Sequence, residues 1–341
     1  MRNRIRLLLL FLSALLCLSA CRGRKPEGKK KVRIGVSVYD GYDTFISELT
    51  TAFREAAAAE ARSVQIELSD AGRSQEVQDK AVRQMLDNGC DIICVNLVDR
   101  TAPGKIIDMA KKKNVPIIFF NRELVEEDLE RWDKLYYVGA DAKESGVLQG
   151  ELAAAYLKAH PEADRNQDGV IQYVVLEGEA GHQDAILRTE YAASTLKERG
   201  IALEKLGYAL ANWNRSQAQT QVQQLLQSYG TRIELILANN DDMALGALDA
   251  YRASNIPLPP IFGIDGTEPG LSAVPDQSLT GTVKNNGIGQ AEAMLSLALS
   301  LAAGEKSAYT LDRGKYIRIP YEAVSADKDS SITARSTELS R

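Results

Sequence analysis

The sequence predicts an α/β protein built from two doubly wound domains. From residue 32 onward, short runs of β-forming residues alternate with helix-length segments, a pattern typical of βαβ units with parallel sheets. About ten such runs lie within roughly 290 residues, and this number of strands suits two domains of ordinary size better than one. No internal repeat with a period of roughly 20–50 residues is visible.

The predicted strands follow one another regularly along the chain. In order they are VRIGVSVY, VQIELSD, DIICVNL, VPIIFFN, YYVGAD, IQYVVLEG, LEKLGYAL, ELILANND, PIFGIDG and LTGTVKN. The clearest helical segments between them are Thr44–Ala61, Gln75–Asp87, Lys143–Lys158 and Gln183–Glu198. Strands separated by helices of this length predict parallel pairing within each sheet.

Residues 1–21 have the features of an export signal. Three arginines precede an apolar run, Leu7–Leu18, which is too short to span a bilayer. The following Leu-Ser-Ala-Cys matches a bacterial lipobox, so Cys21 is the predicted lipidation site; the alternative is an ordinary signal peptide beside an unrelated cysteine. Residues 22–31 are charged and lack apolar periodicity, which predicts a basic tether. A lipid chain beside basic residues would anchor the protein to a membrane.

The composition of the mature chain argues against several classes of protein. Removing the three signal arginines from 41 basic residues leaves 38 against 46 acidic residues, a net charge of −8, which disfavours nucleic-acid binding. Only two histidines are present, His160 and His182, which disfavours a zinc enzyme. Cys90 and Cys94 lie four apart on one predicted strand, too far apart for a disulfide. We therefore expect them to be buried apolar residues.

Asp and Asn residues recur where the predicted strands end. Ligands of open α/β sheets bind beyond the carboxyl ends of the strands, and carboxylates and carboxamides can hold neighbouring hydroxyl groups. This pattern predicts a site for a polyol, with helix N-capping as the alternative role of each residue. The residues are Asp40, Asp43, Asn121, Asn239, Asn240, Asp241, Asp265, Asn285 and Asn286.

The sequence carries no motif for bond-making chemistry. It has no G-x-G-x-x-G after a strand, no complete phosphate loop at Gly304–Ser307 and no G-x-S-x-G elbow. Asp43 and Asp265 could form the carboxylate pair of a glycosidase, which is the enzymatic alternative. A binding protein is favoured, because hinged two-domain folds with amide-rich strand ends bind more often than they cut.

The segment DRNQDGVIQ, residues 164–172, has the pattern of a calcium loop. An EF-hand loop closes with a bidentate Glu at position 12, and that position is occupied here by Val175. A broken site, a polar turn and a calcium site with a distant last ligand all stay open on these residues alone. Positions 1, 3, 5, 6, 7 and 9 are Asp164, Asn166, Asp168, Gly169, Val170 and Gln172.

Seven segments carry a resemblance to a known family. They are IGVSVYDGYDTF, NVPIIFFNRE, YYVGADAKESGVLQGEL, DGVIQYVVLEGEAGHQDAILRT, ANNDDMALGA, FGIDG and GTVKNN. Together they resemble the bacterial galactose/glucose-binding proteins, which are type I periplasmic sugar-binding proteins of ABC transporters, over about Val32 to Val324. The resemblance implies two Rossmann-like, doubly wound lobes joined by a three-segment hinge and closing over a monosaccharide.

The resemblance also implies lobe boundaries. The N-terminal lobe would comprise residues 32–140 and 285–315, and the C-terminal lobe residues 141–284 and 316–328. Residues 329–341 are polar and are predicted to be a disordered tail.

The residues of a sugar pocket can be carried over from the family one by one. Phe45 and Trp213 would stack on the two faces of a pyranose, and Asp43 would serve the O4 hydroxyl in either epimer. Arg122 and Asn214 depart from the family pattern outside the direct sugar contacts, and Gln183 replaces a Pro beside the pocket. The other implied sugar-binding residues are Asn121, His182, Asp184, Arg188, Asn240, Asp265 and Asn285. All ten implied positions carry the residue type that the family has there, and this favours glucose or galactose over a pentose.

The resemblance also supplies a last ligand for the calcium loop. In this family the bidentate acid comes from a distant strand, and the matching residue is Glu234. The implied ligands are the side chains of Asp164, Asn166, Asp168, Gln172 and Glu234 and the backbone carbonyl of Val170. An all-oxygen set with three carboxylates favours Ca²⁺ over a transition metal, in a structural role.

The expected function is that of a non-enzymatic, monomeric receptor that delivers a captured sugar to an ABC permease. Some members of this family also present their closed form to a chemoreceptor. A binder of a pentose, an autoinducer or another cyclic polyol is the alternative on the same fold. A transcription regulator is excluded by the export signal and by the absence of a helix-turn-helix before Val32.

Overall fold

Two six-stranded sheets form the framework of the protein in a computed structural model that describes residues 31–61 and 63–326. The N-terminal sheet contains β1 (Val32–Val38), β2 (Val64–Asp70), β3 (Ile92–Val95), β4 (Ile117–Phe120), β5 (Leu135–Gly139) and β11 (Tyr316–Arg318). The C-terminal sheet contains β6 (Ile171–Glu177), β7 (Leu203–Leu210), β8 (Leu235–Ala238), β9 (Ile261–Phe262), β10 (Gly281–Asn285) and β12 (Tyr321–Ser325).

Ten α-helices in the described ranges cover these sheets. In chain order they are α1 (Thr44–Ala59), α2 (Gln75–Asp87), α3 (Gly104–Lys113), α4 (Glu126–Leu129), α5 (Ala142–Ala159), α6 (Gln183–Glu198), α7 (Arg215–Tyr229), α8 (Asp241–Ser254), α9 (Glu268–Ala273) and α10 (Gly287–Ala303). Short 3₁₀ helices cover Pro161–Ala163 and Gly230–Arg232. None of the helices in residues 31–61 and 63–326 is long and apolar enough to cross a membrane.

The strand orders confirm the predicted doubly wound fold. They are β2-β1-β3-β4-β5-β11 in one sheet and β7-β6-β8-β9-β10-β12 in the other, and every pair is parallel except β10 with β12. The order reverses beside β1 and beside β6. Such switch points open a crevice at the carboxyl ends of the strands.

The chain crosses between the sheets three times, after β5, after β10 and after β11. The predicted boundary at residue 316 was wrong, because Tyr316–Arg318 pairs with β5 and so belongs to the N-terminal lobe. The sequence reading missed both β11 and β12, which are only three and five residues long. Strand pairing between distant segments, which local sequence does not record, decides where the third crossing lies. The predicted tail at 329–341 lies outside the described residues.

Alternating side chains of each buried strand enter two separate cores. On β3, Ile92 and Cys94 pack beneath α1 and α10, whereas Ile93 and Val95 pack beneath α2 and α3, as the two-residue period of a strand requires. Cys90 and Cys94 are buried free thiols, as expected. Burial raises the pKa of both, that of Cys90 to about 11, so neither is a reactive thiolate at neutral pH.

Glycines let α5 and α6 approach closely, and this contact fixes the helix that carries part of the cleft. A Cβ added at Gly150 would lie 2.7 Å from the carbonyl oxygen of Ala192 and 2.7 Å from Cβ of Thr195. At Gly146 the corresponding distance to the carbonyl oxygen of Leu187 is 3.0 Å. Real Cβ atoms do not approach a backbone oxygen as closely as 2.7 Å, so a larger residue at position 150 would push the helices apart.

We predict that Gly150→Ala lowers the free energy of unfolding by about 1–3 kcal/mol, because the clash outweighs the better helix propensity of Ala. Urea denaturation measures this change. The control is Lys158→Ala on the exposed side of α5, which should change stability by less than about 0.5 kcal/mol. A stabilised Gly150→Ala protein would contradict the close packing of α5 on α6.

Candidate functional site

A cavity lies between the lobes at the carboxyl ends of the strands. Its lining includes nine of the ten predicted sugar-binding residues: Asp43, Phe45, Asn121, His182, Asp184, Arg188, Trp213, Asn240 and Asp265. These residues come from both lobes. The parallel strands therefore bring together side chains that lie far apart in the chain.

Asn285 is the predicted residue that does not line the cavity. Its side chain is buried, and its carboxamide oxygen accepts a hydrogen bond of 2.5 Å from Nε2 of Gln290. Its backbone N–H donates to the carbonyl oxygen of Asp265 (2.8 Å). In this conformation Asn285 supports the backbone of Asp265.

Several cavity residues also cap helices, so the two roles considered for the strand-end residues coexist. Asp43 accepts from the backbone N–H of Ile46 (3.0 Å) at the start of α1, and Asn240 accepts from that of Met243 (2.9 Å) at the start of α8. Nδ1 of His182 accepts from the N–H of Asp184 (3.1 Å). Capping fixes the rotamer of each side chain at the place where a helix N-terminus faces the cleft.

Three cavity residues other than glycine adopt left-handed backbone conformations. The φ angles are 59° for Asn121, 64° for Trp213 and 110° for Asp265. Such conformations cost free energy and persist only where neighbouring structure holds them. Their presence at three positions that line one cavity is a mark of a functional site.

Arg188 is the charged centre of the C-terminal wall. Its Nη2 lies 3.4 Å from Oδ1 of Asp265 and 3.7 Å from Oδ2 of Asp184, and its Nη1 donates to the carbonyl oxygen of Asn239 (2.7 Å). Burial raises the pKa of Asp184 and of Asp265, and the Arg188 guanidinium opposes this shift. The guanidinium group of Arg188 thus lies between the carboxylates of Asp184 and Asp265.

Two buried donors in the cavity wall have no hydrogen-bond partner among the described residues. They are Nε of Arg188 and Nε1 of Trp213, and they belong to a set of five buried side-chain nitrogen and oxygen atoms without a partner in that part of the chain. An unpaired buried donor costs free energy. A ligand with hydroxyl oxygens would satisfy Arg188 without adding charge.

Trp213 belongs to the hydrophobic core of the C-terminal lobe and also forms an aromatic wall of the cavity. It is 8% exposed, its ring meets that of His182 edge-on at 5.1 Å, and a Cβ at Gly178 would overlap its ring. Phe45, on the other lobe, also lines the cavity and packs beside Gly287. An aromatic residue on each lobe suits a ligand with apolar faces and polar edges.

Sequence reasoning missed three residues of the lining: Tyr39, Ile46 and Arg122. Arg122 was expected outside the direct contacts, but it is only 4% exposed and its guanidinium lies 3.5 Å above the Tyr39 ring. Gln183, which replaces a Pro beside the pocket, connects the lobes: its Oε1 accepts a hydrogen bond of 2.5 Å from Arg100 of the other lobe. Tyr39 ends a predicted strand beside Asp40, which was the available signal.

The predicted calcium residues also come together, away from the cavity. Glu234 is 1% exposed, and its carboxylate accepts from the backbone N–H groups of Arg165 (2.7 Å) and Gln172 (3.0 Å). The distant acid therefore does face the loop. Gln167 and Gly169, with φ of 59° and 78°, provide the sharp turn.

The donor set in this loop fits a hard cation, with one restriction. The carboxamides of Asn166 and Gln172 both lie about 3 Å from Oδ2 of Asp168, and rotation of a carboxamide presents oxygen in place of nitrogen. Within residues 31–61 and 63–326, no three His, Cys, Asp or Glu side chains form a metal cluster. A cation here would therefore depend on amide and carbonyl oxygens as well as on carboxylates, which is a ligand set that Ca²⁺ accepts.

We predict that acidification destabilises the protein in part through His182. Burial, then the nearby charges of Arg122, Arg188 and Arg100, lower its pKa well below the ordinary value. Unfolded His182 gains a proton near pH 6.5 while folded His182 stays neutral, so stability falls as the pH drops below about 6.5. From pH 7 to pH 5.5 the free energy of unfolding of the native protein should fall by about 1 kcal/mol more than that of His182→Gln.

Urea denaturation at a series of pH values, without sugar, measures this difference. Parallel pH profiles for the native protein and the variant would contradict the low pKa of His182.

Comparison with known proteins gives a consistent picture. Residues 34–306 match the periplasmic binding protein domain family. The chain is 37% identical to the D-galactose/methyl-galactoside binding periplasmic protein of Haemophilus influenzae, covering 87% of this chain and 90% of that protein. It is 31% identical to a xylitol-binding protein of Mycolicibacterium smegmatis, covering 84% and 77%.

A solved structure shares the fold along nearly the whole chain. It is an ABC transporter solute binding protein from Bacillus halodurans with bound myo-inositol, with a TM-score of 0.74, 29% identity, and coverage of 88% of this chain and 96% of that one. These relatives are solute-binding proteins and not enzymes, which sets aside the glycosidase alternative. The chain belongs to the periplasmic binding protein family.

Proposed function

We propose that this protein captures D-glucose or D-galactose in the interlobe cavity and delivers it to an ABC sugar permease. The observation that carries the proposal is the cavity itself, in which two aromatic rings on opposite lobes accompany carboxylates, carboxamides and guanidinium groups. A pyranose presents apolar C–H faces and a polar hydroxyl edge, so its two kinds of surface match this lining. The relationship to a D-galactose/methyl-galactoside binding protein supports a hexose.

Nine of the twelve residues that line the cavity bind the sugar directly in this proposal. Phe45 and Trp213 stack on the sugar faces, and Asp43 accepts from the O4 hydroxyl, which a carboxylate can do for an axial or an equatorial group. Arg188 donates to ring or hydroxyl oxygens as a planar fork. The remaining hydrogen bonds come from Asn121, His182, Asp184, Asn240 and Asp265, with Asn285 behind Asp265.

Sugar binding acts by shifting a conformational equilibrium. The lobes touch across the cleft, for example through Oγ1 of Thr44, which donates to Oδ2 of Asp242 (2.6 Å). A ligand that contacts both lobes stabilises the closed form over the open form. The permease then receives the closed, loaded protein, and Cys21, outside the described residues, would hold it at the membrane through a lipid chain.

The loop at 164–172 is proposed as a structural Ca²⁺ site with Glu234. Its position at the start of β6 and β8 would tie the loop to the strand that leads to Asn240. A cation would offset the repulsion between ligand oxygen atoms that lie close together. Its removal should therefore loosen the C-terminal lobe without changing sugar contacts directly.

A different polyol is the second candidate ligand. It is favoured by the relationship to a xylitol-binding protein and to a protein solved with myo-inositol. Both molecules carry adjacent hydroxyl groups that carboxylates and carboxamides can hold. The test must therefore include both.

Calorimetric titration of the chain from Arg22 onward, with calcium present, tests the proposed ligand. The ligands are D-glucose, D-galactose, D-ribose, xylitol and myo-inositol. We expect one-to-one binding of a hexose that is tighter than that of the other compounds. Binding of xylitol or myo-inositol without binding of a hexose would show that the ligand is a different polyol. No heat from any of these compounds would contradict the proposal.

We predict that Arg188→Lys weakens sugar binding roughly tenfold or more, because an ammonium group cannot reproduce a fork that reaches Asp265, Asn239 and the ligand together. Titration calorimetry gives the ratio of dissociation constants. The matched control is Arg199→Lys, at the exposed end of α6, where affinity should not change. Equal affinities for both variants would remove Arg188 from the site.

Removal of calcium is predicted to lower thermal stability and to leave sugar contacts intact. Free calcium at about one hundred times its dissociation constant adds roughly 2.7 kcal/mol to the stability of a protein that binds it only when folded. Scanning calorimetry with and without chelator should show this loss in the native protein and not in Glu234→Gln. Glu204→Gln, on the exposed face of β7, is the control. A chelator-insensitive midpoint would contradict the site.

A further inference from the structure

An ion pair closes one side of the cleft. Glu179 lies in the loop between β6 and α6 of the C-terminal lobe, and its Oε2 is 3.0 Å from Nη2 of Arg122 in the N-terminal lobe. Arg73, also of the N-terminal lobe, approaches the other oxygen at 3.5 Å. One carboxylate of one lobe is thus held by two guanidinium groups of the other.

Arg122 is built into the N-terminal lobe before it meets Glu179. It is 4% exposed, its Nη1 donates to the carbonyl oxygen of Val98 (3.1 Å), and its guanidinium lies over the Tyr39 ring at 3.5 Å. Such stacking of a buried guanidinium on an aromatic ring is attractive. The N-terminal lobe therefore presents this charge in a fixed direction.

The ring of Tyr39, on which Arg122 stacks, carries a hydroxyl group that contacts Asp43, the carboxylate proposed to bind the sugar. The Tyr39 hydroxyl donates to Oδ2 of Asp43 at 2.5 Å, while Oδ1 of Asp43 caps α1. Burial raises the pKa of Tyr39, so the phenol keeps the proton it donates. A continuous chain of contacts thus runs from Glu179 through Arg122 and Tyr39 to Asp43.

Arg73 also contacts Glu179 and Tyr39, from a loop in which its own backbone is strained. Its φ is 64°, its Nε donates to Oδ2 of Asp40 (2.5 Å), and its guanidinium is 5.7 Å from the Tyr39 ring. An arginine with a positive φ angle is in an unfavourable backbone conformation, and neighbouring contacts must offset the free energy that this costs. Here the conformation directs the side chain towards Glu179.

The opposite side of the cleft shows no comparable ion pair between the lobes in the described part of the chain. There Glu48 accepts from the backbone N–H of Glu268 (3.0 Å), and Thr44 bridges to Asp242. Burial and neighbouring carboxylates raise the pKa of both Glu48 and Asp242, and Asp43 is one of those neighbours for each. Closure thus brings acids of both lobes together on this side, where Arg215 is the cation that acts on Asp242.

We propose that Glu179 and Arg122 are positioning residues that hold the closed form and orient Asp43 through Tyr39. This inference rests on the proposed function and concerns regulation of the same cavity. Opening the lobes separates Glu179 from Arg122, so a loaded protein must break this pair before the sugar leaves. The pair therefore sets the dissociation rate more than the association rate.

Stopped-flow kinetics with the polyol that binds most tightly in the titration test the pair. Glu179→Gln keeps the shape of the side chain and removes its charge, and we expect dissociation to be about tenfold faster with association changed less than about threefold. Glu198→Gln, an exposed acid at the end of α6, is the matched control and should match the native protein. Unchanged dissociation in Glu179→Gln would overturn the inference.

Two further variants separate positioning from simple packing. Arg122→Lys keeps a charge for Glu179 and loses the flat contact with Tyr39, so it should restore part of the slow dissociation that Arg122→Met loses. The effects of Glu179→Gln and Arg122→Met should be non-additive. Raising salt from about 0.05 to 0.5 M should speed dissociation of the native protein and not of Glu179→Gln, because salt screens the exposed edge of the pair.

A readout without ligand separates this inference from the proposed function. Fluorescent labels on the two lobes report the interlobe distance in the sugar-free protein. Glu179→Gln should sample longer distances than the native protein and Glu198→Gln. Identical distance distributions would contradict the role of the pair even if no sugar binds, whereas a shift in the absence of hexose binding would contradict the sugar assignment alone.

Discussion

Every polar group in the cleft depends on the parallel pairing of the strands. In a sheet covered by helices on both faces, strand interiors must be apolar, and the central strands here are buried along nearly their whole length. Polar ligand-binding groups can therefore stand only beyond the strand ends, where parallel pairing gathers the carboxyl termini at one edge. Two such edges facing each other create the cavity, and three chain crossings keep them opposed.

This arrangement makes a few residues serve several purposes at once. Asp265 follows a strand in a left-handed conformation, bridges to Lys284 through its backbone and faces Arg188 with its side chain. Its backbone N–H and carbonyl are held by Val283 and Asn285. The sheet therefore supplies the hydrogen bonds that offset the strain, and the carboxylate is oriented before any ligand arrives.

Local sequence patterns predicted the fold class and the strand-end Asp and Asn residues of the cavity. The family resemblance implied Phe45, His182, Asp184, Arg188 and Trp213, whereas features that depend on long-range packing escaped both. Alternating strands and helices gave the doubly wound fold, and Asp or Asn at a strand end gave several of the cavity residues. The strand β11 escaped because three residues carry no measurable period, and its partner lies far away in the chain. Arg122 escaped because its burial depends on Tyr39 and Val98, which no local pattern connects to it. Asn285 was placed on the right segment, but its carboxamide turns to Gln290.

The charges of the cavity restrict the ligand more sharply than its shape does. An anionic ligand would be repelled by the carboxylates of Asp43, Asp184 and Asp265, and a cationic ligand by the guanidinium groups of Arg188 and Arg122. Either ligand would therefore place like charges next to each other in a buried site. A neutral hydroxyl group donates to a carboxylate and accepts from a guanidinium at the same time. Because burial raises the pKa of Asp184 and Asp265, hydroxyl donors that stabilise the charged carboxylates offset a cost already present in the folded protein. A neutral, densely hydroxylated ligand therefore satisfies both signs of charge between the closed lobes.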